Sequence, residues 1–334
     1  MLSAQEAKIQ KLGGGRYLSE SVSQFPIGRL SALRIEGPSN LGGHIVVTAD
    51  VVDSVRVDVA KIFKVSSEDT ASAYDREVVV KLEASGSTLR LEVRTRRGAP
   101  WEGTQNSATA DLTVTMPPDW DLEANGRFFE FDLTGPFRGA SIKAEFGRIK
   151  LENVTDRVAI EGEHTAVELA NVRGEIAVKT SYADLIIHGV GSTGSHPALF
   201  QNQFGAISVD NLTGAMVVET KYAPITISEV ALSGPESVVR GSNSPVQLDV
   251  RQLGSTQLQV RNSNAPVAIR VPRSLSARLD LSVGVGGTIQ TRLLDIQTHP
   301  DLMGAGRLEG ICGSGNGLID VDVGGPGKVE IEGK

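Results

Sequence analysis

Carboxylates and histidines are the first residues to question, because a well-spaced carboxylate pair hydrolyses glycosidic bonds and clustered imidazoles hold metals. Glu152, His188, Asp210 and Asp249 all stand six residues after one of a series of recurring anchor residues, in a column that also holds Ala170, Ser228 and Arg270. If each anchor opens one strand of a stack, Asp210 and Asp249 lie two strands apart, roughly 9–10 Å. That is at or beyond the upper edge for an inverting pair. A column so mixed reads as a solvated face, so no catalytic residue is assigned and the chain is expected not to be an enzyme. The five histidines, His44, His164, His188, His196 and His299, share no ligand spacing, and one cysteine cannot form a Cys-x-x-Cys pair. No metal or other cofactor is expected. Cys312 reads as a small core residue. The run Gly310 to Gly317 resembles a phosphate loop but lacks the Lys-Ser/Thr ending and a following helix, so it reads as a corner.

Aromatic side chains are the other candidates. Phe146, Tyr182, Phe204 and Tyr222, with His164, occupy one equivalent anchor position, and Trp101 sits in a polar insertion at 94–107. Exposed rings bind flat sugar faces. A row of rings at a coil's spacing is also what an internal corner stack looks like, and Asn243 and Asn264 continue the row as an amide ladder would. Both readings stay open, and Trp101, Phe146, Tyr182, Phe204 and Tyr222 are the candidate binding residues.

The elements that must position these residues come from a repeat. Anchors at Phe146, His164, Tyr182, Phe204, Tyr222, Asn243 and Asn264 recur every 18 to 22 residues. Four before each anchor stands an apolar residue (Ile142, Ile160, Val178, Phe200, Val218, Val239, Val260). Three after it stand Ile149, Val167, Leu185, Ile207, Ile225, Val246 and Val267, and five after it Leu151, Leu169, Ile187, Val209, Ile227, Leu248 and Ile269. Period-two alternation rich in Ile and Val marks half-buried strands. Small residues follow most anchors (Gly147, Ala183, Gly205, Ala223, Ala265), and Asn153, Asn171 and Asn211 mark a second corner. One coil cannot bury its own apolar face, but stacked coils share a core. The expectation is an all-β, single-chain β-solenoid with coils of about 18–22 residues.

The ends are less regular. Residues 1–32 read as a lead-in with a short helix at 3–12, and 33–124 as irregular β coils with a hairpin around Ser85-Gly86 and the loop 94–107. Residues 125–271 hold the regular repeats and 272–334 the Gly-rich C-terminal coils and cap, with 292–306 irregular. Within 33–334, Gly43-His44-Ile45-Val46-Val47, the Leu112 to Pro117 segment (Leu-x-Val-x-Met-Pro) and the serial Asn-Val-x-Gly turns occur in order. In this the chain resembles the putative-adhesin β-strand-repeat family, mainly bacterial adhesin-like proteins with a domain of unknown function. The resemblance implies architecture and brings no catalytic residue.

A net charge of −7 offers no basic footprint for nucleic acid, and no apolar run of 18 residues exists to span a membrane. The partner expected is a glycan, a cell-envelope polymer or a protein surface, bound without catalysis. The alternatives are a structural or assembly subunit and a polysaccharide-active enzyme. No secretory leader is legible, so a cytoplasmic location is expected if the chain is complete, and a cell-surface or extracytoplasmic one if a leader has been removed.

Overall fold

A computed structural model describes residues 8–193, 196–293, 296–298 and 306–334. The chain is all-β, an open and mostly parallel sheet with one helix among the described residues. It divides into two compact units, Met1–Ala166 and Val167–Lys334.

The second unit follows the apolar grid most closely. Strands Leu185–Ser192, Ile207–Gly214, Ile225–Leu232, Val246–Leu253 and Val267–Val271 pair in parallel, one beside the next. Strands Ala198–Gln201, Met216–Glu219, Glu236–Arg240 and Gln257–Ser263 form a second parallel series. Ile207 lies opposite Ile225 and Phe200 opposite Val218, so the register equals the repeat step. A slip of one residue would turn every buried Ile and Val outward, which is what holds the register. The grid positions of this unit are all buried. At the anchor corner the amide of Ile207 donates to the Pro224 carbonyl at 3.1 Å, Ile225 to Pro245 at 3.1 Å and Val246 to Pro266 at 3.0 Å. Proline suits this position because only its carbonyl is needed there. The small residue after the anchor is equally constrained. A Cβ on Gly205 would lie 2.0 Å from the Ala183 carbonyl oxygen.

After Val271 the strands do not pair in chain order. Gly317–Gly324 and Lys328–Gly333 pair with Gln257–Ser263 and Val267–Val271. Ala277–Val283 and Thr288–Arg292 pair with the far side of that last segment. The C-terminal segment is thus inserted ahead of the one that precedes it in sequence. Arg307–Cys312 runs antiparallel on Ala277–Val283, and Ile296–Thr298 antiparallel on Arg307–Cys312. Antiparallel strands close the series with a different pairing pattern, one way to blunt an edge. His299 and Pro300 lie outside the described residues.

In the first unit one parallel wall runs Thr88–Arg94, Ala32–Glu36, Asp121–Gly126 and the second half of Phe128–Glu145. The other runs Ser107–Met116, Gly42–Ala49 and the first half of Phe128–Glu145. The expected hairpin is present as Val79–Ser85 and Thr88–Arg94, turning at Gly86 with φ +60°.

The lead-in reading fails. Ile9–Gly13 is a strand paired antiparallel with Arg16–Pro26, which pairs along its length with Ser54–Lys64, itself antiparallel to Ser107–Met116. Three glycines with φ of +91°, +60° and +72° turn the chain back at 13–15, so the described part of the expected helix, from Ile9 on, is a hairpin arm. The remainder of the expected helix, residues 3–7, lies outside the described residues. The helix that does form, Glu68–Glu77, was not expected. Ser67 caps it by accepting the Thr70 amide at 3.2 Å, acidic Glu68 and Asp69 open it, and Ala71 and Tyr74 are its buried side chains.

Candidate functional site

The corner geometry carries the anchor side chains outside the sheet. Phe146 is 46% exposed, Tyr182 52%, Phe204 44% and Tyr222 58%. The internal-stack expectation is therefore half right: the rings stack, but in solvent. Inward positions are already filled by the residues three and five after each anchor, which leaves the corner side chain no room inside.

Stacked rings occur within each unit. In the second unit Tyr182 and Phe204 stack at 4.7 Å and 13°, and Phe204 and Tyr222 at 5.2 Å and 11°. Asn243 and Asn264 follow, the Asn264 Nδ2 donating to the Asn243 Oδ1 at 3.1 Å, as the expected amide ladder requires. In the first unit Phe146 and His164 stack at 5.0 Å and 7°, and Phe128 and Phe146 at 5.6 Å and 22°. Phe128, 42% exposed, is a ring that sequence reasoning missed. It stands 18 residues before Phe146, with apolar Phe131 and Leu133 three and five residues on. Its copy was hidden because the next residue is a bulky Phe129 rather than a small one. Phe129 is buried against Gly37 and Gly126, where a Cβ would meet its ring at 2.5 Å and 2.9 Å.

Several anchors are held in left-handed backbone: Phe146 at φ +55°, His164 at +50° and Tyr182 at +66°, like Asn243 and Asn264 at +59° each. Asn adopts that conformation readily, whereas a bulky aromatic there is an outlier. The stacking also restricts what the rings offer. An inner ring has both faces covered, so it presents an edge, and a free face exists only at the end of a row.

Trp101 does not belong to this surface. It is 8% exposed, its indole N–H donates to the Asn40 carbonyl at 2.9 Å, and its ring lies 5.4 Å from that of Tyr74. The loop that reads as a polar insertion packs its one large ring under the helix, because Tyr74 and the Asn40 carbonyl supply an apolar surface and an acceptor.

The acidic column is occupied by local pairing. Ser228 Oγ donates to Asp210 Oδ1 at 2.7 Å, and His188 Nδ1 lies 3.8 Å from Asp210 Oδ2. This places the carboxylate between hydroxyl and imidazole, whereas a nucleophile needs the imidazole between the other two. Asp249 pairs with Lys334, which also donates to Glu229 at 3.0 Å, and the first of these bonds does most to raise the Lys334 pKa. Arg270 bridges to Glu332 at 2.7 Å. Among the described residues no group of three or more His, Cys, Asp or Glu could hold a metal ion. Cys312 is buried, and the glycine run around it forms the turn between Arg307–Cys312 and Gly317–Gly324.

No family model matches the sequence, and no curated protein does. Among solved structures, the fold is similar to a "putative adhesin" from Parabacteroides merdae at 11% identity and a TM-score of 0.42, over 93% of this chain and 95% of that one. It is also similar to a "putative cell adhesion protein" from Clostridium sporogenes at 10% identity and 0.26, over 95% and 100% of the chains. A "putative lipid binding protein" from Parabacteroides distasonis matches at 8% and 0.36, over 93% and 96%.

Proposed function

We propose that this chain is a non-catalytic, adhesin-like binding protein, a β-solenoid whose stacked coils serve to display rows of aromatic side chains to an extended glycan or cell-envelope polymer. The observation that carries this reading is the placement of large apolar rings both in solvent and, at Phe146 and Tyr182, in left-handed backbone. Neither burial nor backbone preference favours a ring there, and Asn243 and Asn264 show that an amide makes the same corner. The gain to folding at these points is the stacking between neighbouring rings, about 0.5–1.5 kcal/mol a pair, and it is opposed by exposure and, at Phe146 and Tyr182, by the left-handed backbone. A polymer lying along the coils would meet ring edges at one coil's spacing and a ring face at a row's end, so it is the extended ligand, rather than a pocket-sized one, that matches the surface. The non-enzymatic part of the proposal is supported by the engagement of Asp210 and Asp249 with their own neighbours.

The test is a retention assay on insoluble polysaccharides and a glycan array, with the wild-type chain and the double substitution Phe204→Ala, Tyr222→Ala. Binding that the substitutions weaken, with no more than the small drop in melting that two lost stacked pairs entail, supports the reading. Glycan binding unaltered by them, or none at all, counts against it.

A further inference from the structure

The Phe128 end of the first unit's row of rings lines a groove that also carries three arginines. The row Phe128, Phe146, His164 ends at Phe128, since Gly42 lies opposite it on the next strand and carries no side chain to continue the stack. The contact is close: a Cβ on Gly42 would come within 2.7 Å of the Phe128 carbonyl oxygen. Beyond this gap lies a groove of about 730 Å³ lined by Phe128, Gly42, Asn40, Arg96, Arg97 and Arg127 among others, with Glu102 as its one acid.

The charges are unequally satisfied. Arg127 pairs with Glu145 at 3.0 Å and lies 5.1 Å from the centre of the Phe128 ring. Arg96 pairs with Glu77 at 3.2 Å. Glu102 accepts from the Asn40 Nδ2 at 2.6 Å and from the Ala99 amide at 3.1 Å. Arg97 is exposed and makes no ion pair among the described residues. Arg96 and Arg127 are thus balanced by their own acids, which leaves Arg97, in the lining of the same groove as Phe128, as its exposed guanidinium without an ion pair among the described residues. The walls are also braced. Asn40 donates to the Arg96 carbonyl at 3.0 Å and receives the hydroxyl of Thr95, while the buried Trp101 holds the Asn40 carbonyl.

We propose that this groove binds an acidic sugar unit of a glycan, its ring packed on the outer face of Phe128 and its carboxylate held by Arg97. This rests on the polymer-binding reading above and narrows its ligand to carboxylate-bearing glycans. A guanidinium fork matches a carboxylate in two hydrogen bonds, and an aromatic face takes the C–H face of a pyranose, so the two together select a sugar acid over either a neutral sugar or a bare anion.

The experiment compares a galacturonate oligomer, its uncharged methyl ester and polyglutamate by calorimetry at low salt. The galacturonate should bind roughly tenfold more tightly than the ester, the value of one charge-assisted contact. Arg97→Gln should abolish that difference, Phe128→Ala should weaken acid and ester alike, and Arg29→Gln, an exposed arginine outside the groove, should leave binding unchanged. Equal binding of acid and ester, both still weakened by Phe204→Ala with Tyr222→Ala, would overturn the carboxylate site and leave the polymer reading standing. Polyglutamate competing as well as galacturonate, or wild-type affinity in Arg97→Gln, would likewise overturn it. Failure of both sugar polymers to bind the wild-type chain would overturn the two readings together.

Discussion

Replacing Phe146 by Asn separates a ring kept for folding from a ring kept for contact. The substitution removes two stacked neighbours, Phe128 at 5.6 Å and His164 at 5.0 Å, and a guanidinium 5.5 Å from the ring centre. Aromatic pairs are worth about 0.5–1.5 kcal/mol each and an exposed cation–π contact about 0.5–1 kcal/mol. Phe146 is 46% exposed, so the lower ends apply and the loss is about 1.5 kcal/mol. Against this, the backbone at φ +55° suits Asn better than a bulky residue, a relief on the order of 1 kcal/mol. The net change should be about 0.5 kcal/mol of destabilisation. Phe137→Ala supplies the yardstick: Phe137 is fully buried, and its loss should remove about 3–5 kcal/mol. Both tryptophans, Trp101 and Trp120, are buried in the first unit, so fluorescence during urea unfolding reads the unit that contains both substitutions. If Phe146→Asn loses as much as Phe137→Ala, the ring is a structural element and the binding proposal loses its main support.

In the second unit, Ile207→Ala should cost about 2–5 kcal/mol as a core truncation while Ser208→Ala stays near neutral, checked by hydrogen exchange along 185–271; equal losses would mean the inner and outer faces are interchanged. Trp101→Ala should lower stability by about 3–5 kcal/mol, because it empties a buried site and frees the Asn40 carbonyl; an unchanged urea midpoint would place the indole in solvent. The Glu92 carboxyl is held below its ordinary pKa, first by the hydrogen bond from Arg94 and then by the charge of Arg90, with its partial desolvation opposing both. A lowered folded value means that its stabilisation is full above the unfolded pKa and is lost as the pH falls through the folded one. Glu92→Gln should therefore narrow the stability gap between neutral and acidic pH, and an unaltered pH profile would show that the pair contributes nothing. Asp210→Asn should leave glycan binding intact, whereas polysaccharide turnover that this change abolishes would replace the binding proposal with an enzymatic one.

The parts of this fold that can be read from sequence are those in which one residue type answers one physical demand. An inward position needs an apolar side chain in every strand of the parallel series, so the columns through Ile207 and Val209 stand out and all lie buried. The corner after Phe204 admits no Cβ, so Gly205 marks it. The antiparallel strands answer to a different demand, since a strand at a sheet edge must discourage further pairing rather than continue it. Arg16–Pro26 and Ser54–Lys64 alternate as any strand does, and nothing in that alternation distinguishes antiparallel pairing from the parallel pairing of the coils. The same holds for Gly317–Gly324, whose pattern shows that it joins the stack but not that it enters ahead of Ala277–Val283.

The candidate site illustrates why a row of equivalent residues can be legible while its meaning is not. The equivalent repeat positions of Tyr182, Phe204 and Tyr222 predict that they stack, but an inside row and an outside row share those positions. What decides between them is whether the positions three and five residues on already fill the interior, and that depends on side-chain volume across neighbouring coils. The groove at the end of the first row depends on still longer connections: Gly42, Arg97 and Phe128 are brought together only because Phe128–Glu145 lies in register on Gly42–Ala49 and the loop containing Arg97 is tied back through Asn40. A periodic pattern describes what repeats. The proposed site lies where the row of rings stops, at Gly42, which has no side chain to continue the stack beyond Phe128.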